Sequence, residues 1–310
     1  MKENRFQVNI ATGRFTLPVV ILVCLILWGI GLSEWNDLGT CVISAFCGYL
    51  MIEMNTTFTL IRTRTALPAC IYWYLTTIFF FLHPFEWSNL APLAFLLSIY
   101  NLFSSYESAK SPIHIFHTFF FIGLGSLAFP QLIYFTPLLA ISTIGFRAMN
   151  AKSFFASILG LVTPYWFLFA YRFYYDEMTY FHTAIKEMLQ FQPIDYSGLH
   201  ATETIAGLFS TLLLIICSAH YFQVAYLDKT RTRIYLSFMA YAGWWSTLIM
   251  FLQPQHVHAL LLIQLISSAI LAGHLFTLTR NKFSNIFFIV TFILFIALMI
   301  FNLWMRFFSF

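Results

Sequence analysis

Charged side chains are scarce in this sequence: Asp, Glu, Lys and Arg make up only 9% of its 310 residues, whereas apolar residues make up 60%. A water-soluble domain of this length could not bury so much apolar surface. The sequence also lacks the alternation of apolar and polar residues that is typical of outer-membrane β-barrels. Its composition therefore predicts a protein that crosses a membrane with helices.

Several chemical motifs are missing as well. The five cysteines all fall in apolar runs and form no CxxC pair, so we predict neither a disulfide framework nor a cysteine zinc site. The sequence has no P-loop, no GxGxxG followed by an acidic residue, no GxSxG and no HExxH. Nucleotide-driven and hydrolase functions therefore have no support, and no cofactor is evident. The cysteines are Cys24, Cys41, Cys47, Cys70 and Cys217.

Eleven apolar runs are each close to the roughly 20 residues that a helix needs to cross a bilayer. We therefore predict an all-α, polytopic transmembrane helical bundle that forms a single integral membrane domain over residues 1–310. Pro137 and Pro164 fall within the sixth and seventh spans, where a missing N–H is expected to kink a helix. The predicted spans are 15–33, 38–60, 66–83, 88–105, 112–129, 131–148, 153–171, 201–225, 234–252, 256–278 and 285–305.

The basic residues set the predicted orientation. When the spans alternate in direction, all 16 Lys and Arg except Arg172, Lys186 and Arg306 lie on one side, and this side is cytoplasmic by the positive-inside rule. The N-terminus is then cytoplasmic and the C-terminus periplasmic. The net charge of +4 belongs to this cytoplasmic rim, so we expect the lipid bilayer as a partner and no nucleic acid.

One long polar stretch interrupts the apolar runs, and the threading makes residues 172–203 a periplasmic loop. Apolar residues recur at helical spacing between 177 and 191, which predicts an amphipathic helix in the outer interface. Two interpretations of this helix are open. It is either a lid over an opening among the spans or a linker whose apolar side rests on lipid.

Histidines on the predicted periplasmic face form the second feature. His200 and Glu203 lie one helical turn apart at the start of the eighth span, and His256 and His258 follow in the next outer turn. Such side chains could hold a divalent metal or serve as acid–base groups near neutral pH. Solvated loop histidines would give the same pattern, so the sequence leaves both interpretations open.

Other charged residues on the same face are candidates for catalysis. Glu34 and Asp37 occupy the short turn after the first span, and membrane glycosyltransferases that use polyprenyl-phosphate sugars carry acidic residues at a similar place. Arg172 and His182, with His200, are loosely similar in arrangement to the late outer loop of lipid-linked polysaccharide polymerases and ligases. The candidate catalytic set is Glu34, Asp37, Arg172, His182, His200 and Glu203.

Polar residues inside the predicted spans form a third group. Glu53 lies about 13 Å along the helix from Arg62, within the hydrocarbon. An intramembrane carboxylate is costly and is therefore a candidate for transport, together with Asn55 beside it. Alternatively, Glu53 is neutral and hydrogen-bonded within the bundle. His220 and His274 lie at similar depths in the eighth and tenth spans, but no further pattern accompanies this pair to support a bound haem.

Three stretches resemble a known family: RTRTALP from Arg62 to Pro68, SPIHIFHTFFFIGLGSLAFPQLIYFTPL from Ser111 to Leu138, and RAMNAKSFFASILGLVTPYW from Arg147 to Trp166. They resemble an uncharacterised family of multi-pass inner-membrane proteins of Bacteroidetes. Its members sometimes carry the label beta-carotene monooxygenase, but soluble carotenoid cleavage oxygenases hold iron with histidines on a β-propeller, which a chain of apolar helices does not match. The resemblance implies a bacterial inner-membrane location and no particular chemistry.

Three functional hypotheses follow from these residues. The first is a transferase or polymerase-like enzyme that handles a lipid-linked, polyprenyl-type saccharide of the cell envelope at the periplasmic face. The second is a transporter or flippase in which Glu53 titrates or binds a cation as access alternates. The third is a non-catalytic subunit that docks other membrane proteins of an envelope complex.

Overall fold

The computed structural model describes residues 6–32, 34–176, 178–189, 193–279 and 281–308. Within these ranges all regular structure is helical. The α-helices are α1 (Phe6–Ala11), α2 (Thr16–Gly31), α3 (Asp37–Phe58), α4 (Leu67–Ile78), α5 (Ala91–Ser104), α6 (Ser111–Ala128), α7 (Thr136–Gly145), α8 (Ala151–Tyr174), α9 (Met178–Leu189), α10 (Ala201–Val224), α11 (Thr230–Leu252), α12 (Val257–Leu278) and α13 (Lys282–Phe308).

Seven helices in the described part of the chain are long and apolar enough to cross a membrane, namely α3, α6, α8, α10, α11, α12 and α13. The helical class predicted from composition is therefore confirmed, and the chain is an all-helical membrane protein. The other predicted spans also contain helices, but these are shorter. A helix rises 1.5 Å per residue, so the 12 residues of α4 and the 10 residues of α7 do not reach across the hydrocarbon as single straight helices.

Prolines explain why three of these helices are short. Pro68, Pro92 and Pro137 each lie in the first turn of a helix, where the missing N–H would have had no partner. Our expectation of a kink at Pro137 is therefore wrong, because a 3-10 helix (Pro130–Phe135) precedes α7 and the proline starts the new helix. Pro164, in contrast, lies inside α8 as predicted.

The chain divides into two compact units. Unit 1 consists of Met1–Glu86, Tyr196–Met250 and Gln255–Phe310, and unit 2 consists of Trp87–Asp195 and Phe251–Pro254. In unit 1, α12 packs against α1, α4, α10 and α13, and its residues from Ala259 to Thr277 are all buried. It is the central helix of this unit.

A buried polar network ties α12 to its neighbours in unit 1. The side-chain oxygen of Gln264 accepts a hydrogen bond from Ser210 of α10 at 2.7 Å. The Gln264 amide donates to Thr211 of α10 at 3.0 Å and to Thr247 of α11 at 2.7 Å. Polar groups removed from water gain most when every partner is satisfied, so Gln264 fixes the register of α10 against α12.

Unit 2 depends on a close approach of α6 and α8. A Cβ atom added at Gly160 would collide with the backbone oxygen of Phe116, so the small residue allows the two helices to touch. At the start of α8, Asn150 caps the helix by accepting a hydrogen bond from the Ser153 N–H at 2.9 Å. Helix α9 lies within the range that we predicted for an amphipathic helix and packs on α8.

Candidate functional site

One imidazole in unit 1 lies between two carboxylates. The Nε2 atom of His258 is 2.9 Å from Oε1 of Glu203, and its Nδ1 atom is 3.9 Å from Oε1 of Glu86. The Glu203 side chain is only 9% exposed, whereas the Glu86 side chain is 53% exposed. These three residues form what we call the Glu–His–Glu cluster. Each nitrogen of the His258 ring therefore faces a carboxylate.

The start of α10 positions Glu203. Its second carboxylate oxygen, Oε2, accepts a hydrogen bond from the His200 backbone N–H at 3.0 Å. A carboxylate in the first turn of a helix is favoured both by this capping contact and by the helix dipole. The capping contact therefore holds Glu203 in a fixed orientation, with its other oxygen turned toward His258.

Helix α12 positions His258 opposite Glu203. His258 lies in the first turn of α12, and Glu203 lies in the first turn of α10. Because the Gln264 network ties these two helices further along, their first turns are held side by side. The ring of Phe81 lies 5.4 Å from the His258 ring and limits its movement.

A pocket of about 340 Å³ lies in unit 1, next to residues that contact or precede members of the cluster. Phe81 and the chain from His200 to Thr202 line it, and so does Arg306 of α13. The Arg306 guanidinium carbon lies 5.3 Å from the centre of the Phe80 ring, a cation–π geometry that orients the charge. The pocket thus places a positive charge near Phe81, whose ring contacts His258, and near Thr202, which precedes Glu203.

The structure brings together only some of the four residues predicted to bind a metal, which are His200, Glu203, His256 and His258. The structure joins Glu203 and His258, as that prediction required. His256 lies at the N-terminus of α12 and His200 at the N-terminus of α10. Among the described residues no group of three or more His, Cys, Asp and Glu side chains is placed to hold a metal ion. A divalent metal at these residues therefore stays a prediction.

Glu34 and Asp37 have a local structural contact. The buried Asp37 carboxylate accepts a hydrogen bond from the Glu34 backbone N–H at 3.0 Å at the start of α3, whereas the Glu34 side chain is exposed. This is the geometry of a carboxylate that closes a turn before a helix.

Arg172 and His182 belong to unit 2, not to the unit that holds Glu34, Asp37, His200 and Glu203. Arg172 lies in the last turn of α8, and its guanidinium carbon is 5.6 Å from the centre of the Tyr171 ring. His182 lies in α9, and its side chain is outside the described residues. The catalytic roles that we predicted for these two residues stay predictions.

Glu53 and Asn55 make short-range contacts. The Glu53 carboxylate accepts a hydrogen bond from Thr57, one turn further along α3, at 3.0 Å. Asn55 joins the end of α3 to the next loop, since its amide donates to the Thr65 carbonyl and its oxygen accepts from the Ile61 N–H. These contacts lie within α3 and the loop that follows it, and the transport role of Glu53 and Asn55 stays a prediction.

A second charged cluster occurs in unit 1, and sequence reasoning missed it. Asp228 accepts a hydrogen bond from Nε2 of His274 at 2.9 Å, and its other oxygen is 3.3 Å from Nε of Arg62. The Asp228 and His274 side chains are both only 2% exposed. His220 contacts Thr279 through its Nε2 atom at 3.1 Å instead. The sequence signal for this cluster is Asp228, an acidic residue in a loop whose other charged residues are Lys and Arg.

Together the helices and the composition define an all-helical integral membrane protein with a partly buried Glu–His contact at the start of two neighbouring helices. No protein-family model, curated protein or solved structure matches the chain.

Proposed function

We propose that this protein is a transferase or polymerase-like enzyme that acts on an amphipathic, lipid-linked envelope substrate at the periplasmic face of a bacterial inner membrane. The observation that supports it best is the Glu–His–Glu cluster of Glu86, Glu203 and His258 beside a pocket that contains Arg306. Transfer of a saccharide from a phosphate carrier needs a base and a cation close together, and these residues supply both.

The chemistry that we propose assigns a role to each residue. Glu203 accepts the Nε2–H of His258 and so leaves Nδ1 to act as the base. As an acceptor hydroxyl attacks the sugar carbon, its proton passes to Nδ1, and the carrier phosphate leaves with the electron pair of the broken C–O bond. Arg306 then stabilises the leaving phosphate.

The proposed orientation of the spans places the cluster on the periplasmic side. We propose eleven spans, with the N-terminus cytoplasmic and the C-terminus periplasmic, because this threading places nearly all Lys and Arg inside. The starts of α10 and α12 then face the periplasm, as does the end of α13 with Arg306. The helices shorter than a full span would cross together with their flanking 3-10 segments.

The test is a His258→Gln variant in cells depleted of the native protein. Glutamine can still donate a hydrogen bond to Glu203 but cannot take up a proton, so we expect normal protein abundance and accumulation of an isoprenoid-linked saccharide. Mass spectrometry of extracted lipid carriers measures this accumulation. We expect turnover to fall by about 100-fold or more, the usual contribution of a general base.

His117→Gln is the matched control, because it makes the same substitution in α6 of unit 2, at a residue that is not part of the cluster. It should leave the lipid-carrier profile unchanged. A wild-type profile in the His258→Gln strain would rule out the base that we assign. A chelator added to membranes from wild-type cells tests the predicted divalent metal separately.

A further inference from the structure

A polar cavity of about 580 Å³ lies in unit 1, at the end of α3 and the start of α4. Two arginines of the connecting loop, Arg62 and Arg64, line it. Hydroxyl groups line it too, and the buried Thr63 oxygen has no hydrogen-bond partner among the residues that the structure describes. Two positive charges and one buried hydroxyl without a partner in the same cavity favour an anion with several oxygen atoms.

Arg62 is held in a defined position at this cavity. Its Nε atom is 3.3 Å from Asp228, and the buried Asp228 is in turn fixed by His274. Because the carboxylate engages Nε, the two terminal nitrogens at the end of the guanidinium remain to bind another group. The Arg62 side chain is 53% exposed, so these nitrogens are accessible.

An apolar cavity of about 290 Å³ adjoins the polar one. Thr16, Leu67 and Cys70 line both cavities, so the two lie next to each other. The apolar cavity runs between α2, α4 and α13, where valines of α2 face phenylalanines of α13. Its walls are almost entirely hydrocarbon and suit a lipid chain.

We propose that the polar cavity and the adjacent apolar cavity together bind one lipid that carries a phosphate monoester headgroup. The headgroup lies between Arg62 and Arg64, and a hydrocarbon chain enters the apolar cavity between α2 and α13. The negative charge of the headgroup complements the two arginines, and the apolar walls of the adjacent cavity suit the hydrocarbon chain. This site shares no residue with the Glu–His–Glu cluster, and its existence does not depend on the enzyme activity proposed above.

The test is native mass spectrometry of the purified full chain in detergent, titrated with dioleoyl phosphatidic acid or with dioleoyl phosphatidylcholine. We expect phosphatidic acid to bind about tenfold more tightly, the effect of one charge-assisted contact. The Arg64→Gln variant should lose about this tenfold preference without disturbing the Arg62–Asp228 contact. The Lys152→Gln variant removes an equal charge from the start of α8 and should leave the preference for phosphatidic acid unchanged.

A second variant tests the apolar part. Val23→Trp fills the space beside α13 without changing charge, so it should weaken phosphatidic acid binding by a similar factor. Equal binding of the two lipids by the wild type would overturn the proposal. An Arg64→Gln variant that kept the wild-type preference for phosphatidic acid over phosphatidylcholine would also overturn it. Complete displacement of the lipid by an equal concentration of inorganic phosphate would do the same, because it would indicate a site for free anions.

Discussion

Glu203 makes two hydrogen bonds, one that stabilises a helix and one that contacts the proposed base. One oxygen caps α10 through the His200 N–H, and the other faces His258. Removing the side chain would cost the cap, typically about 1 kcal/mol of helix stability, as well as the partner of the imidazole. Loss of activity in Glu203→Ala would therefore not distinguish the two roles. His258 makes the sharper test because its contact has no capping function.

Glu53→Gln tests the transporter or flippase alternative. Glutamine can accept the same hydrogen bond from Thr57, so we expect wild-type sidedness of the lipid-linked saccharide in spheroplasts on both the acid and the alkaline side of neutrality. Labelling of the saccharide by an impermeant reagent measures its sidedness. Cytoplasmic accumulation together with a lost pH dependence would instead support transport through Glu53.

Pairs of helices touch where one of them carries a small residue. Gly273 of α12 faces Pro68 of α4 in unit 1, and Gly160 of α8 faces the Phe116 carbonyl in unit 2. In a membrane such contacts matter because lipid competes equally for apolar side chains, so close backbone approach and satisfied polar groups provide the stability.

Gly160→Ala should separate α6 from α8. The added methyl group meets a backbone oxygen that cannot rotate away, so we expect a loss of about 1–3 kcal/mol and a lower midpoint of thermal unfolding in detergent. Gly145→Ala is the matched control, because its Cβ would meet no atom within 4 Å. Equal midpoints for the two variants would contradict the close approach of these helices.

The positions of the helices could be predicted from sequence, but their lengths and contacts could not. Each predicted span contains a helix because apolar runs of that length have few other structures in lipid. The late start of α7 at Thr136 depends on Pro137, which periodicity places inside the span. The contact between Glu203 and His258 joins residues 55 positions apart. It requires the register of α10 against α12, which buried Gln264 sets and which a single sequence does not display.

On the scale of the whole molecule, the proposed threading places Gly198 and Lys110 on opposite faces. Both are exposed. We expect an impermeant maleimide to label Gly198→Cys in intact spheroplasts and to label Lys110→Cys only after lysis, with the unsubstituted chain giving the background from its own cysteines. Labelling of both variants before lysis would contradict the threading.

The burial of α12 from Ala259 to Thr277 also constrains biogenesis. This helix is made after α1, α4 and α10, yet it packs against all three. During synthesis α4 and α10 therefore enter the membrane before α12, with their contact surfaces exposed to lipid, and Ser210 of α10 lacks its Gln264 partner. Such an intermediate is a natural substrate for insertion factors and membrane proteases. Cellular levels of the protein should depend on how quickly the ribosome delivers this helix.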